Sequence, residues 1–171
     1  MSVIAHFLAL AQRDSGRPED ALPEFLRGRR IEDVIDPDEL DETRGGAHYG
    51  NIGRCLQFMG QLDQALVCYQ KSAILIEKTV QQNHVYNQGF IRKWLGEVLA
   101  ARGQSTLGGV FLRAAYLKWK ETSPPRANEV MSMYREVEAR CSTLSEIGDQ
   151  EAESTCLNWI FGKPIGHKFK R

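Results

Sequence analysis

Residues 47–73 have the sequence AHYGNIGRCLQFMGQLDQALVCYQKSA, and this stretch decides the fold class. Its apolar residues recur every three or four positions on both sides of Gly60, a spacing typical of one face of an α-helix. These positions are Tyr49, Ile52, Leu56 and Met59 before the turn, and Leu62, Ala65, Leu66, Tyr69 and Ala73 after it, and the spacing continues to Ile76. Two helices joined by so short a turn must lie antiparallel, so the stretch predicts a helical hairpin.

The marker residues of this hairpin recur 43 residues later and 44 residues earlier. The matching sets are Gly53, Gly96 and Ala9; the turn glycines Gly60, Gly103 and Gly16; Ala65, Gly108 and Ala21; and Tyr69, Leu112 and Phe25. Small residues let two helix backbones approach closely, and glycine supplies the positive φ that the turn needs. Because one hairpin cannot bury its own apolar face, the hairpins must pack on their neighbours. The sequence therefore predicts an all-α repeat protein.

These residues resemble the tetratricopeptide repeat (TPR), whose pattern is roughly Trp-x2-Leu-Gly-x2-Tyr followed by Gly, Ala, Phe and Pro. The best match runs from Tyr49-x2-Ile52-Gly53-x2-Leu56 to Tyr69, and the resemblance covers about residues 3–122. The spacing of 43–44 residues exceeds the roughly 34 of the usual repeat, which predicts longer helices. The resemblance implies a right-handed α-solenoid of antiparallel helical hairpins.

We expect one TPR-like domain over residues 1–161 and a flexible basic tail over 162–171. The expected hairpins are near 3–30, 46–81 and 86–121. After Pro124-Pro125 the register fades, and helical spacing over 130–144 and 152–160 predicts a C-terminal capping helix pair within 125–161. The tail carries four basic residues around Phe169, so binding to RNA or to an acidic partner is the alternative to a solubilising role.

The acidic linker, residues 32–42, holds seven carboxylates and no basic residue. Its spacing does not match an EF-hand loop, which needs a central glycine and a glutamate at the twelfth position. We expect a solvated connection between two hairpins, partly neutralised by Arg27, Arg29 and Arg30 just before it. The alternatives are a cation site or a surface for a basic partner.

Motifs for catalysis, metal binding or cofactor binding are missing from the sequence. The four histidines and four cysteines form no H-E-x-x-H, C-x-x-C or other ligand cluster. His48 and Cys55 lie seven residues apart, so a metal pair or a nucleophile pair is the alternative to a buried structural role. Cys55 and Cys68 alternate with core positions and are expected to be buried. We therefore expect no catalytic residue, no metal and no cofactor.

The 171-residue chain carries 22 basic and 22 acidic residues, which disfavours a dedicated nucleic-acid binder. It contains no apolar run long enough to cross a membrane and no N-terminal secretion signal, so we expect a cytoplasmic location.

Residues expected to bind a partner follow from the resemblance, which implies that the first helix of each hairpin lines a concave groove. The candidates are His6, Arg13, Asn51, Arg54, Gln57, Phe58, Phe90, Lys93 and Glu97. Amides, cations and aromatic rings together are typical of peptide-binding surfaces.

The leading hypothesis is a non-catalytic adaptor or scaffold that binds a peptide or a partner subunit in this groove. Outside the acidic linker and the tail the chain is mildly basic, which favours a partner with an acidic segment. The alternatives are a ligand-sensing regulatory domain that acts on an effector and an RNA-binding accessory protein. Self-association is left open.

Overall fold

The computed structural model describes residues 3–36, 38–79 and 84–169, and over these ranges the chain is all-helical with no strand. Its helices are α1 (Val3–Asp14), α2 (Pro18–Leu26), α3 (Ile31–Ile35), α4 (Gly46–Phe58), α5 (Leu62–Lys78), α6 (His84–Ala101), α7 (Ser105–Trp119), α8 (Pro124–Glu138) and α9 (Asp149–Ile160). Short 3₁₀ turns lie between α3 and α4 (Glu42–Arg44), between α8 and α9 (Ser142–Glu146) and after α9 (His167–Phe169). The all-α prediction is confirmed. The last residues of the second expected hairpin, 80 and 81, lie outside the described ranges.

The chain forms two compact units, Met1–Leu75 and Ile76–Arg171. Fully buried apolar residues of the first unit include Ala9, Ala21, Phe25, Tyr49, Ile52, Leu56 and Tyr69. Those of the second include Ile91, Leu95, Leu99, Phe111, Leu112, Trp119 and Ile160. The expected single repeat domain stays a prediction.

The three predicted turn glycines share one geometry. Gly16, Gly60 and Gly103 have φ values of +83°, +77° and +83°. The next residue in each case donates its N–H to a carbonyl five residues back, at 2.9 Å in all three turns: Arg17 to Gln12, Gln61 to Leu56, and Gln104 to Leu99. This is the Schellman arrangement that ends a helix at a left-handed residue. The expected role of these glycines is confirmed.

The small residues within the hairpins also lie where the sequence places them. A Cβ on Gly53 would come within 2.7 Å of the Tyr69 ring. A Cβ on Gly96 would lie 2.9 Å from the carbonyl oxygen of Gly108, and one on Gly108 would lie 2.8 Å from the carbonyl oxygen of Gly96. These distances are shorter than van der Waals contact, so α6 and α7 approach each other through two glycines.

The acidic linker is more structured than expected. Its carboxylates are mostly exposed, but Ile31–Ile35 forms α3, and Val34 is 0% exposed. The Lys71 ammonium of α5 donates to the carbonyl oxygen of Val34 at 2.7 Å and also to that of Asp36. Of the three arginines expected to neutralise the linker, Arg29 pairs with Glu39 and Arg30 pairs with Glu32. One buried valine and one buried lysine therefore anchor a segment that is otherwise solvated.

The expected helix over 130–144 ends earlier than its apolar spacing predicts. The helix α8 ends at Glu138, and Leu144 lies in the 3₁₀ turn Ser142–Glu146. A Cβ on Gly109 would lie 2.4 Å from the Leu144 Cδ1, so the Leu144 side chain packs directly on the α7 backbone. The Tyr134 hydroxyl donates to the Leu144 carbonyl oxygen at 3.1 Å and holds this turn. The prediction of a continuous helix was wrong because a tertiary contact outweighed the spacing.

The expected flexible tail is held in place as far as Phe169. The Phe169 side chain is buried, and the Lys168 ammonium lies 2.6 Å from the Glu151 Oε1. Lys163 is exposed, as a solubilising residue would be. Residues 170 and 171 lie outside the described ranges.

Candidate functional site

Arg13 and Asn51, two of the predicted groove residues, are in contact within the first unit. The Arg13 Nη1 donates to the Asn51 Oδ1 at 2.6 Å, and its Nε donates to the Asp14 Oδ1 at 2.7 Å. Arg13 is buried, although it carries a full charge. The pair therefore fixes α1 against α4, and these polar atoms already have partners within the chain.

Arg54, Gln57 and Phe58 form a second group near the C-terminal end of α4. The Arg54 Nη1 donates to the Gln57 Oε1 at 2.9 Å, and the Tyr69 hydroxyl donates to the same oxygen at 2.7 Å. The Arg54 guanidinium lies 4.4 Å from the centroid of the Phe58 ring, within the range of a cation–π contact. Phe58 is 47% exposed, so this group presents an aromatic ring to solvent.

His6 lies on the inner side of α1. Its ring centroid is 6.0 Å from that of Phe25 and 6.0 Å from that of Phe7, both edge-to-face. Phe25 is buried in the core and Phe7 is exposed. His6 thus lies at the boundary between the core and the surface.

Phe90 belongs to an aromatic cluster in the second unit. Its ring centroid lies 5.0 Å from Tyr86, 5.0 Å from Trp119 and 5.5 Å from Trp94. The Arg126 guanidinium of α8 lies 4.6 Å from the Phe90 centroid. Phe90, which was predicted to contact a partner, therefore packs against residues of α6, α7 and α8 of this chain.

Lys93 and Glu97 are also in contact within the chain. The Lys93 Nζ lies 2.5 Å from the Glu129 Oε1 and 3.7 Å from the Glu97 Oε1. Lys93 is buried to about nine-tenths. Of the nine predicted groove residues, Phe58 is the most clearly presented to solvent, since the other eight are buried or partly buried.

The histidines and cysteines give no metal site in the described part of the chain, where no group of three potential ligands occurs. His48 is buried, and its ring packs edge-to-face on Tyr49 at 5.7 Å. Cys55 and Cys68 are 0% exposed, as expected, and burial raises the pKa of each thiol to about 12. A thiol with so high a pKa is a poor nucleophile at neutral pH.

The outer face of α1 is an apolar surface that was not among the predicted contact residues. We call Val3, Ile4, Phe7 and Leu8 the α1 face; their exposed fractions are 71%, 81%, 64% and 57%. Exposed apolar groups that cluster in this way mark interaction sites more often than isolated ones do. The signal was present in the sequence, because residues 3–12 contain no Asp, Glu, Lys or Arg on any side of the helix.

A buried ion-pair network in the second unit was also missed. Arg92 is 0% exposed; its Nη1 lies 2.6 Å from the Glu77 Oε1 and its Nη2 lies 3.1 Å from the Glu153 Oε1. The Lys118 Nζ lies 2.6 Å from the same Glu153 oxygen. The four partners come from four different helices, so the spacing within any one helix could not have indicated the network. It joins α6, α7 and α9 to the end of α5.

Comparison of the chain with protein-family models, with curated proteins and with solved structures found no match. Within the described residues, no helix is both long and apolar enough to cross a membrane.

Proposed function

We propose that this chain is a non-catalytic protein-interaction module, an adaptor or scaffold, which binds an apolar helical segment of a partner protein on its α1 face. The observation that carries the proposal is the exposure of four large apolar side chains on two adjoining turns of one helix. Their spacing of one, three and one residues forms a ridge of the kind that packs against another helix.

The chemistry of the α1 face decides which kind of partner fits. No charged residue occurs within residues 3–12, so the face supplies no ion pair to a bound segment and favours an uncharged, apolar one. The acidic partner segment expected from the sequence has less support, because Arg13 and Lys93 already pair with carboxylates of this chain. Of the predicted groove contacts Phe58 is the most exposed, and the Arg54 guanidinium lies over its ring.

The proposal includes a TPR-like α-solenoid in the cytoplasm. Three Schellman turns at intervals of 44 and 43 residues, and the close contact through Gly96 and Gly108, support a repeated hairpin. In a stack of such hairpins each apolar face packs on a neighbour, so a face of α1 that no neighbour covers is available to a partner.

The test is affinity capture from native lysate with the wild-type chain, Phe7→Glu and Phe161→Glu as baits. Phe161 is 41% exposed in the second unit, so its variant introduces the same charge on another exposed apolar residue. We expect a stoichiometric partner to be recovered with wild type and with Phe161→Glu, and lost with Phe7→Glu. Circular dichroism should show the same helix content for all three baits, since both substituted positions are exposed.

Two results would contradict the proposal. One is equal recovery of the partner with both variants, which would place the binding surface elsewhere. The other is a mass by light scattering that corresponds to a dimer for wild type and to a monomer for Phe7→Glu, which would make a second copy of this chain the occupant of the α1 face.

A further inference from the structure

A polar cavity of about 340 Å³ lies in the second unit. It is lined by the first turn of α7, the segment that follows α8, and the 3₁₀ turn near the C-terminus. The polar side chains in its wall include Ser105, Thr106, Arg140, Cys141, Thr143 and Lys168. Its volume falls within the range of roughly 300–1,000 Å³ that is usual for small-molecule sites.

Cys141 differs from the other three cysteines in being partly exposed, in the wall of this cavity. Its Sγ lies 3.1 Å from the Thr106 Oγ1 and 3.1 Å from the Thr143 Oγ1. Hydrogen bonds from Thr106 first, and then from Thr143, hold the pKa of the Cys141 thiol below its ordinary value. The thiolate is the nucleophilic form, so these contacts favour reaction at Cys141.

The cysteines other than Cys141 provide an internal comparison. Cys55, Cys68 and Cys156 are 0% exposed, and burial raises the pKa of each thiol to about 12. Exposure and thiolate character therefore both single out the same cysteine.

The charges around the cavity favour an anionic ligand. Arg140 is exposed, and its guanidinium has no hydrogen-bond or ion-pair partner among the residues that the structure describes. Lys168 contributes a second cation, which an anionic ligand would share with Glu151.

We propose that this cavity is a modification site, at which Cys141 forms a mixed disulfide with a small peptide thiol that carries carboxylates. The co-reactant is the symmetrical disulfide of that thiol. The Cys141 thiol releases its proton to solvent, and the thiolate attacks one sulfur of the disulfide. A new S–S bond forms as the old one breaks, and the other half leaves as a thiolate. Cys141 is oxidised, the leaving half is reduced, and a second thiol reverses the step.

The first test follows the intact mass of the full-length native chain during incubation with oxidised glutathione. We expect one adduct per chain on wild type and none on Cys141→Ser, and adducts on all four cysteines once the protein is denatured. A native adduct that persists in Cys141→Ser, or wild type that forms no adduct until it unfolds, would overturn the proposal.

The second test asks whether the cations select the ligand. Arg140→Gln should slow the reaction with oxidised glutathione about threefold to fivefold, as expected for one charge a few ångströms away in water, and should leave the rate with neutral 2-hydroxyethyl disulfide unchanged. Adding Lys168→Gln should slow the reaction with oxidised glutathione further. Arg135→Gln, on an exposed residue of α8 that does not line the cavity, is the matched control and should change neither rate. An equal loss of rate with both disulfides would show that the cavity does not recognise anionic ligands.

Discussion

The helices α1 and α6 were both predicted as the first helix of a hairpin, and both end in the same Schellman turn, yet their surroundings are opposite. Two residues of α1 are buried, Ala9 and Arg13, whereas α6 buries nine of its 18 residues. The exposed helix has no charged residue over positions 3–12, while the buried one contains Arg92 and Lys93. The turn is therefore a local property of the sequence, and the burial of the helix before it is not.

The largest effect is expected from removal of the buried charge of α6. Arg92→Ala should lower the free energy of unfolding by about 3–5 kcal/mol, because it leaves the nearly buried Glu77 carboxylate without its ion-pair partner. Chemical denaturation should show this loss, whereas Arg135→Ala on the exposed side of α8 should stay within about 0.5 kcal/mol of wild type. Equal stabilities for the two variants would mean that the buried ion pairs of α6 contribute no more to the free energy of unfolding than an exposed residue of α8 does.

The next effect concerns the close approach of a ring to α6. A Cβ on Gly89 would lie 2.2 Å from the Trp119 ring, so Gly89→Ala should cost about 1–3 kcal/mol through overpacking. Thermal unfolding followed by Trp fluorescence measures this loss of stability. Gly148→Ala is the matched control, since a Cβ there meets no atom within 4 Å and the backbone φ is −77°. A Gly89→Ala chain as stable as Gly148→Ala would rule out the tight contact.

A smaller and equal effect is expected at the turns that α1 and α6 share. Gly16→Ala and Gly103→Ala should each cost about 1–2 kcal/mol, because an L-residue is strained at φ = +83° although the space around both positions is open. Parallel urea titrations of the two variants measure the difference. A loss at one turn without a loss at the other would show that the two turns are not equivalent.

The smallest effect is expected on the α1 face. Phe7→Ala should change the free energy of unfolding by no more than about 0.5 kcal/mol, because Phe7 is already largely exposed. Phe25→Ala, at a buried aromatic of the same unit, should cost about 3–5 kcal/mol under the same denaturation conditions. A large loss from Phe7→Ala would mean that the α1 face is covered within the chain and is not available to a partner.

The contacts that could be predicted from the sequence are short-range or depend on residue size. The glycine turns follow from local hydrogen bonding, and Gly96 and Gly108 indicate close packing whatever the exact register of the helices. The helix over 130–144 was predicted too long, because the contact of Leu144 with Gly109 is made between segments 35 residues apart. Val34 was missed for the same reason, since its anchor, Lys71, lies 37 residues away.

The candidate site was less predictable than the fold. The groove residues were chosen by their place in a repeat, and the structure shows that Arg13, Asn51, Lys93 and Glu97 make contacts within the chain. The α1 face could have been found from its lack of charge, but a helix that is apolar on all sides is equally typical of a buried one. Only the neighbours of a helix decide between these outcomes.

The sequence by itself determined the all-α class, the positions of the hairpin turns and the small residues between helices, because each depends on φ preferences, spacing or side-chain volume over short distances. The tertiary structure alone decided which charges are paired, as with Arg92 and Glu153 at a separation of 61 residues. It also decided which apolar face is left exposed and which cysteine opens into a cavity. Those outcomes depend on what packs on each surface, and one-dimensional spacing does not contain that information.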